Sequence, residues 1–149
     1  MDKLVQFNTM LGSVGLKIHG ASSAVIATTT AFGYKIDGQI YAALAAADLT
    51  ALTTANNVAD TYTNAITISI KPAGTIVYTM GTAILTATIT ANATGSLFPE
   101  ANLASVPAGQ ALVGYVIIKN AIGSGTAFVG GTTALDASGV TVTYINALQ

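Results

Sequence analysis

The chain has 149 residues, the size of one domain, with 52% hydrophobic residues, only 7% charged residues and a net charge of −1. Typical soluble domains carry roughly 25% charged residues. All five cations are lysines and none are clustered, which argues against nucleic-acid binding, because neutralising phosphates takes grouped Lys and Arg. Cysteine is absent, which excludes disulfides, thiolate metal sites and cysteine nucleophiles.

The chain is apolar but has no membrane-spanning segment in its sequence pattern. Mean hydropathy is +0.63, yet the most apolar stretches, residues 42–59 and 76–93, are interrupted by Thr, Asn or Gly. A spanning helix needs about 20 mostly apolar residues, and a helix lying on a membrane surface needs a basic face. We therefore expect apolar surface to be buried between subunits, as in an obligate oligomer or a lattice component.

Residues 1–20 are predicted to form an N-terminal arm. Four apolar residues share the spacing of one helical face: Leu4, Phe7, Leu11 and Val14. Glycines at positions 12 and 15 would weaken a helix by about 1 kcal/mol each. The pattern leaves open whether this segment is a stable element or one that becomes ordered on contact.

A β-hairpin is predicted around Asp37-Gly38. Alternating apolar residues flank this dipeptide, and Asp-Gly suits a type I′ turn because both residues tolerate positive φ. Four side chains are expected to make its cross-strand contacts. These are Tyr34, Ile36, Ile40 and Tyr41.

The alanine-rich stretch after the hairpin favours a helix from about Ala43 to Leu52. From Ala65 onward, Ile and Val alternate with Thr and Ser, with Gly and Pro turns at 72–74 and 107–109, which is typical of strands. Threonine is expected on the exposed strand faces. The predicted strands are 65–71, 75–80, 84–90, 111–119, 126–129 and 140–146. The run 111–119 is nearly all apolar and should be buried on both faces.

The predicted fold class is therefore mainly β. We expect an antiparallel β-sandwich or barrel-like domain with one short Ala-rich helix and an N-terminal arm. The arm spans residues 1–20 and the β-rich assembly domain spans residues 21–149.

Candidate catalytic or ligand-binding groups are scarce. His19 is the only histidine, and beside Gly20 it is predicted to be a turn or surface residue rather than a catalytic base, because a useful base needs an orienting partner. The six acids are scattered, and each has a local explanation in a turn, loop or helix. The glycine-rich stretch 123–133 lacks the Lys-Ser/Thr of a phosphate loop, so Gly130-Gly131 is predicted to be a tight loop or bulge. The sequence predicts no enzyme, no cofactor and no metal site.

Glycan binding is a weaker alternative, because tyrosine rings can stack on sugars. Most of the six tyrosines lie in predicted strands, where packing in a core or interface is the commoner role. They are Tyr34, Tyr41, Tyr62, Tyr78, Tyr115 and Tyr144.

The C-terminal third resembles a family. It reads PAGQALVGYVIIKN at 107–120, GSG at 123–125, FVGGTTALDA at 128–137 and VTYIN at 142–146. Together with the IDGQIY hairpin at 36–41 and the PAG turn at 72–74, this pattern is similar to small bacteriophage virion proteins of the head decoration, or cement, type. The Gly-Gly-Thr-Thr-x-Leu-Asp run is its most distinctive part.

The resemblance implies a β-rich protein on the outer surface of a phage head, often a homotrimer, that clamps subunits of the major capsid protein. We expect neither nucleic acid nor membrane as a partner. Since the first residues lack the apolar core of a signal peptide, synthesis is expected in the host cytoplasm. The capsid contact is predicted to come from the arm, through Leu4, Phe7, Met10 and Leu11. Deleting residues 2–20 should then abolish particle binding and leave the oligomer intact.

A tail-fibre or spike module that contacts a host-surface glycan is the competing function. Long fibres usually show sequence repeats, and none is found here. The number of copies per particle would separate the two functions.

Overall fold

The computed structural model describes residues 8–92 and 95–147. These residues form antiparallel sheets and one short helix, which confirms the mainly β fold class. The strands of the first part of the chain are β1 (Thr9–Leu11), β2 (Leu16–Ile18), β3 (Ile26–Thr28), β4 (Phe32–Ile36), β5 (Gln39–Leu44) and β6 (Asn57–Val58).

The second part of the chain contains the longest strands. In order, the elements are β7 (Tyr62–Ile70), β8 (Ile76–Met80), β9 (Ile84–Leu85), α1 (Thr86–Asn92), a 3-10 helix (Glu100–Asn102), β10 (Ala111–Asn120), β11 (Phe128–Val129) and β12 (Val140–Asn146).

Two sheets enclose the core. The larger has the order β12-β10-β7-β8, with β9 also paired to β7, and the smaller has the order β1-β4-β5. Two further two-stranded sheets pair β2 with β3 and β6 with β11. Strands β1 and β4 contact β10, so the arrangement is one of packed sheets. The core between them includes Met10, Tyr34, Ile68 and Val116, all at most 3% exposed.

The predicted hairpin is confirmed. Strands β4 and β5 pair with Ile36 opposite Gln39, and the turn residues Asp37 and Gly38 have φ values of 50° and 82°. Positive φ at both turn positions is what a type I′ turn requires. Behind the turn, the rings of Tyr34 and Tyr41 stack with centroids 5.0 Å apart.

Strand β7 corrects the prediction that threonine lies on exposed faces, because both faces of this strand are buried. Residues 95–110 supply hydrogen-bond partners for its second face. Thr67 Oγ1 donates to the Ala104 carbonyl at 2.8 Å, and Ser69 Oγ donates to Gln110 Oε1 at 2.6 Å. Buried hydroxyls are tolerated where they are hydrogen-bonded in this way.

The predicted position of the helix is wrong. Residues 43–52 continue β5 to Leu44 and then run irregularly, because their main chain bonds to β3: Leu49 N donates to Ile26 O at 2.8 Å. The helix lies instead at Thr86–Asn92 and overlaps most of the stretch 84–90 that is predicted as a strand, of which only Ile84–Leu85 is extended. Intrinsic propensity is a weak preference that tertiary contacts override, and here they do so twice.

The described part of the predicted N-terminal arm belongs to the β-domain. Strand β1 pairs with β4, β2 pairs with β3, and Val14 between them is 0% exposed. Residues 8–20 therefore carry core side chains, and the predicted boundary at residue 20 is corrected. The first seven residues of that arm lie outside the described part of the chain.

The C-terminal strands agree with the sequence. The buried run becomes β10 and the last predicted strand becomes β12, in register from Gly114 opposite Asn146 to Asn120 opposite Val140. The amide of Asn120 is 0% exposed and joins three segments. Its Nδ2 donates to the carbonyls of Val58 and Thr126 at 2.9 and 3.0 Å, and its Oδ1 accepts from Ile122 N at 3.0 Å.

Candidate assembly surface

One face of the small sheet exposes large apolar side chains, and we call it the hairpin face. It consists of Thr9, Leu11, Gly33, Lys35 and Ile40, which share the side of the sheet opposite the core. Ile40 is 73% exposed and Leu11 is 43% exposed. These two exposed aliphatic side chains lie on β1 and β5, the outer strands of the sheet, with β4 between them, and they form the beginning of a docking surface.

The hairpin face is held rigidly. Gly33 contributes no side chain to the hairpin face. If a Cβ atom were added to Gly33, it would lie 3.7 Å from both Cβ and Cδ1 of Leu11, so the Leu11 side chain packs next to the Gly33 backbone. On the opposite side of the same strands, Met10 and Tyr34 are buried, and the Tyr34 hydroxyl donates to the Pro72 carbonyl at 3.1 Å. The backbone under the hairpin face is thus fixed by the core.

The described chain begins beside this face. Asn8 Oδ1 accepts from the backbone N–H of Asp37 at 2.8 Å, and Asn8 Nδ2 donates to the Gln110 carbonyl at 3.1 Å. These two bonds tie the start of β1 to the hairpin turn and to the start of β10. In the sequence, Leu4 and Phe7 precede Asn8.

The four predicted contact residues have different positions. Leu4 and Phe7 lie outside the described residues. Leu11 is exposed on the hairpin face, whereas Met10 is 1% exposed because it alternates onto the core side of β1. Met10 is thereby corrected from a contact residue to a core residue. The helical spacing used in the prediction placed these residues together, whereas the alternation of a strand separates Met10 from Leu11.

Ile40 was not predicted as a contact residue. It was expected to make cross-strand contacts in the hairpin, and it does lie opposite Lys35. The signal that was missed is the alternation of side chains along a strand. Because Tyr34 and Tyr41 lie on one side of the hairpin, their neighbours Lys35 and Ile40 must lie on the other side. A lysine opposite an isoleucine indicates the solvent side of a hairpin.

The side chains that could take part in catalysis or metal binding make local structural contacts instead. His19 Nδ1 lies 2.5 Å from Asp48 Oδ1, but the two side chains are 56% and 51% exposed. Such a surface pair contributes little to stability. Within the described residues, no three His, Cys, Asp or Glu side chains are grouped so that they could hold a metal ion.

Two other carboxylates hold loops. The Asp60 carboxylate accepts from the backbone N–H groups of Gly123 and Gly125 at 3.0 and 3.1 Å. Asp136 Oδ2 accepts from the N–H of Ser22 at 2.8 Å. The glycine-rich loop thus uses its free N–H groups on an internal carboxylate rather than on a phosphate.

Three of the clefts on the described part of the chain have volumes of about 210, 420 and 380 Å³. The largest of these three lies between β5 and β8, and its lining includes Phe32, Leu44 and Thr75. Neither Tyr34 nor Tyr78 offers a free ring beside it, since Tyr34 is buried and the Tyr78 hydroxyl donates to the Thr50 carbonyl at 2.6 Å. The lining of this cleft therefore includes no tyrosine ring on which a sugar could stack.

The third cleft runs along the outer strand β12. Its lining includes Ile18, Leu135, Val142 and Tyr144. Burial, with a smaller contribution from the Asp136 carboxylate, raises the pKa of Tyr144 to about 12. The Tyr144 hydroxyl is therefore neutral at physiological pH. Asp136 and Thr141 add polar groups to the lining of this cleft, whose other members are Tyr144 and aliphatic side chains.

Comparisons with known proteins identify no relative. No protein-family model matches the chain, and no match is found among curated proteins or among solved structures. None of the helices in the described residues is long and apolar enough to cross a membrane.

Proposed function

We propose that this chain is a capsid decoration, or cement, protein that binds the outside of an assembled phage head and stabilises contacts between subunits of the major capsid protein. The resemblance of residues 107–146 to such proteins suggests the particle. The hairpin face is the single observation that supports the mode of action, because it is an apolar docking surface on a rigid element.

The contact is proposed to combine the hairpin face with the residues that precede it. Ile40 and Leu11 supply apolar area, and Leu4 and Phe7 extend that area along the chain. Burying one such aliphatic side chain contributes roughly 1.5–3 kcal/mol. Each contact alone is weak, but several copies bound to one shell, or several contacts within one oligomer, combine through multivalency.

Binding to the assembled shell alone would also explain how the protein stabilises that shell. A protein that binds the closed lattice and not its free subunits shifts the equilibrium toward the lattice by mass action. This requires no catalytic group, and the local roles of Asp60 and Asp136 are compatible with that.

The first test compares two exposed positions. Ile40→Lys places a charge in the proposed contact, and Leu97→Lys makes the same kind of change at a side chain that is 52% exposed elsewhere. We expect Ile40→Lys to weaken binding to undecorated heads by about tenfold or more, since it removes the buried area of one aliphatic side chain. Binding is measured by co-sedimentation with heads. Equal binding by both variants would contradict the role of the hairpin face.

The second test is an N-terminal truncation, whose end point has to be changed because of the structure. Deleting residues 2–20 would remove Met10, Val14 and Leu16 from the core, so loss of binding would only report unfolding. Deleting residues 2–7 leaves β1 and the bonds of Asn8 in place. We expect the shorter deletion to keep the fold, as judged by circular dichroism, and to reduce particle binding.

Electron microscopy of intact particles separates decoration from the tail-fibre alternative. A decoration protein occupies equivalent positions over the whole head, whereas a fibre or spike module occurs in a few copies at the tail. Density at the tail alone would replace the proposed function with the alternative.

A further inference from the structure

The larger sheet is open at both edges. Its order ends with β12 on one side and β8 on the other, and no further strand of the described residues pairs with either outer edge. Neither VTVTYIN nor IVYTM contains a charged residue or proline. Edge strands in proteins that avoid self-pairing usually carry lysine, proline or a bulge. Both edges lack those features in their sequence, and β2 contacts β12 without pairing with it.

The outward main-chain groups of β12 can be assigned from its neighbours. Ala147 N donates to Val113 O at 3.1 Å, and Ala121 N donates to Gly139 O at 2.7 Å, so the odd-numbered residues bond to β10. Val142 and Tyr144 therefore direct their N–H and C=O groups away from β10. Within the described residues these groups have no hydrogen-bond partner.

The same reasoning applies to β8. Gly81 N donates to Ala65 O at 2.8 Å and Lys71 N donates to Thr75 O at 3.0 Å, so the odd-numbered residues of β8 bond to β7. Tyr78 and Met80 then direct their main-chain groups outward. Among the described residues, these groups too lack a partner.

We propose that copies of this chain assemble by pairing the β12 edge of one subunit with the β8 edge of the next. Because β12 and β8 run in opposite directions within one sheet, a neighbouring copy related by rotation about an axis along the strands presents β8 antiparallel to β12. This contact satisfies both open edges at once, whereas a two-fold β12–β12 contact would leave β8 unpaired.

The register of the proposed β12–β8 pair follows from the main-chain N–H and C=O groups of β12 that remain available for hydrogen bonds. Val140 N is already bonded to Ala137 O at 2.9 Å, so the available part of β12 starts at Val142. Residues 142–146 match the five residues of β8. The resulting pairs are Val142 with Met80, Thr143 with Thr79, Tyr144 with Tyr78, Ile145 with Val77 and Asn146 with Ile76 of the next copy.

The side chains are compatible with this register. Thr143 meets a threonine and Ile145 meets a valine on the outer face, which are favourable cross-strand pairs. On the inner face, Met80 of the next copy would lie opposite Val142, beside the cleft of about 380 Å³ along β12. An unbranched methionine adapts to such a space. With no charge on either strand, no like-charge repulsion opposes the contact.

Cysteine cross-linking tests the contact, because the chain has no cysteine of its own. Thr143 and Thr79 would form a non-hydrogen-bonded pair with Cα atoms about 4.5 Å apart, which permits a disulfide. After mild oxidation, a mixture of Thr143→Cys and Thr79→Cys chains should give a cross-linked dimer that contains one chain of each kind. The double variant should give larger cross-linked species, ending at a trimer if the ring closes as predicted.

Two results would overturn the proposal. A dimer formed by Thr143→Cys alone would show β12–β12 pairing instead, and absence of cross-links in the mixture would show that these edges do not meet. The experiment uses no particles, so its failure is distinct from failure of the proposed capsid function.

A proline variant provides the second measurement. In Val142→Pro the lost N–H faces away from β10, so the internal ladder is kept while the proposed intersubunit bond is lost. We expect association, measured by light scattering against concentration, to weaken by about tenfold or more. Val142→Thr keeps the N–H and should associate like the parent. Unchanged association of a correctly folded Val142→Pro chain would contradict the proposal.

Discussion

The inner and outer strands of the larger sheet use the same polar residues for different purposes. β7 and β10 lie in the middle and are buried on both faces over nearly their whole length. β8 and β12 lie at the edges, and every β8 residue is partly exposed. Threonine is frequent in both environments. In β7, Thr67 is 0% exposed and hydrogen-bonded, while in β12, Thr141 is exposed to solvent.

This difference explains how a chain with so few charges can fold, and it is compatible with the proposed pairing of sheet edges between copies. In the interior, Thr, Ser and Asn fix the path of covering segments through specific hydrogen bonds. At the edges, the same residue types provide polarity without charge, so they do not repel another copy. A polar residue should therefore matter for stability in the middle of the sheet and matter little at its edges.

The largest effect is expected at Asn120. Asn120→Ala removes three hydrogen bonds and leaves the carbonyls of Val58 and Thr126 without their partner. We expect the free energy of unfolding to fall by about 3 kcal/mol. Urea denaturation measures it, and exposed Asn57, replaced by alanine, is the control, with a change of at most about 0.5 kcal/mol. Equal effects at both positions would remove the distinction between interior and surface asparagine.

A smaller effect is expected from a matched pair of threonines. Thr67→Val loses the hydrogen bond to the Ala104 carbonyl and should lower the free energy of unfolding by about 1 kcal/mol. Thr141→Val changes an exposed edge residue and should shift it by no more than about 0.5 kcal/mol. Thermal or urea unfolding of both variants compares the two environments directly. A larger loss in Thr141→Val would reverse the comparison.

The sequence predicted those parts of the fold whose signals are local. Asp37-Gly38 determines its own turn, because few residue pairs tolerate two positive φ angles. The apolar run of β10 predicts burial on both faces without knowledge of its neighbours. The hairpin face has no such local signal, because Leu11 is predicted as a contact residue from the spacing of a helical face, whereas its exposure follows from the alternation of β1.

The parts that could not be predicted depend on distant segments. The hydrogen bond of buried Thr67 depends on residues 95–110, where its partner Ala104 lies more than 35 positions away along the chain. The helix was misplaced because the alanine-rich residues 43–52 bond to β3, a choice that alanine propensity does not report. That Val142 lies at a free edge follows only from the order of the strands in the sheet. A single sequence does not reveal this order.

The smallest predicted effect is a pH dependence at the β12 edge. Burial and the Asp136 carboxylate raise the pKa of Tyr144 to about 12, above its ordinary value of 10.0. The unfolded chain therefore loses the Tyr144 proton at lower pH than the folded chain does. The contribution of this group to stability is complete below pH 10 and is lost progressively as the pH rises from 10 to 12.

Replacing Tyr144 with phenylalanine isolates that contribution. The Tyr144 hydroxyl makes no hydrogen bond within the described residues, so Tyr144→Phe should unfold like the parent near neutral pH. Burial also raises the pKa of Tyr78, so both chains should lose stability in alkali, but the parent should lose it more steeply. Urea denaturation at a series of alkaline pH values compares the slopes. Parallel slopes would mean that Tyr144 ionises as readily in the folded chain as in the unfolded one. The cleft along β12 would then be open to water, and an adjacent strand would gain less there from apolar burial.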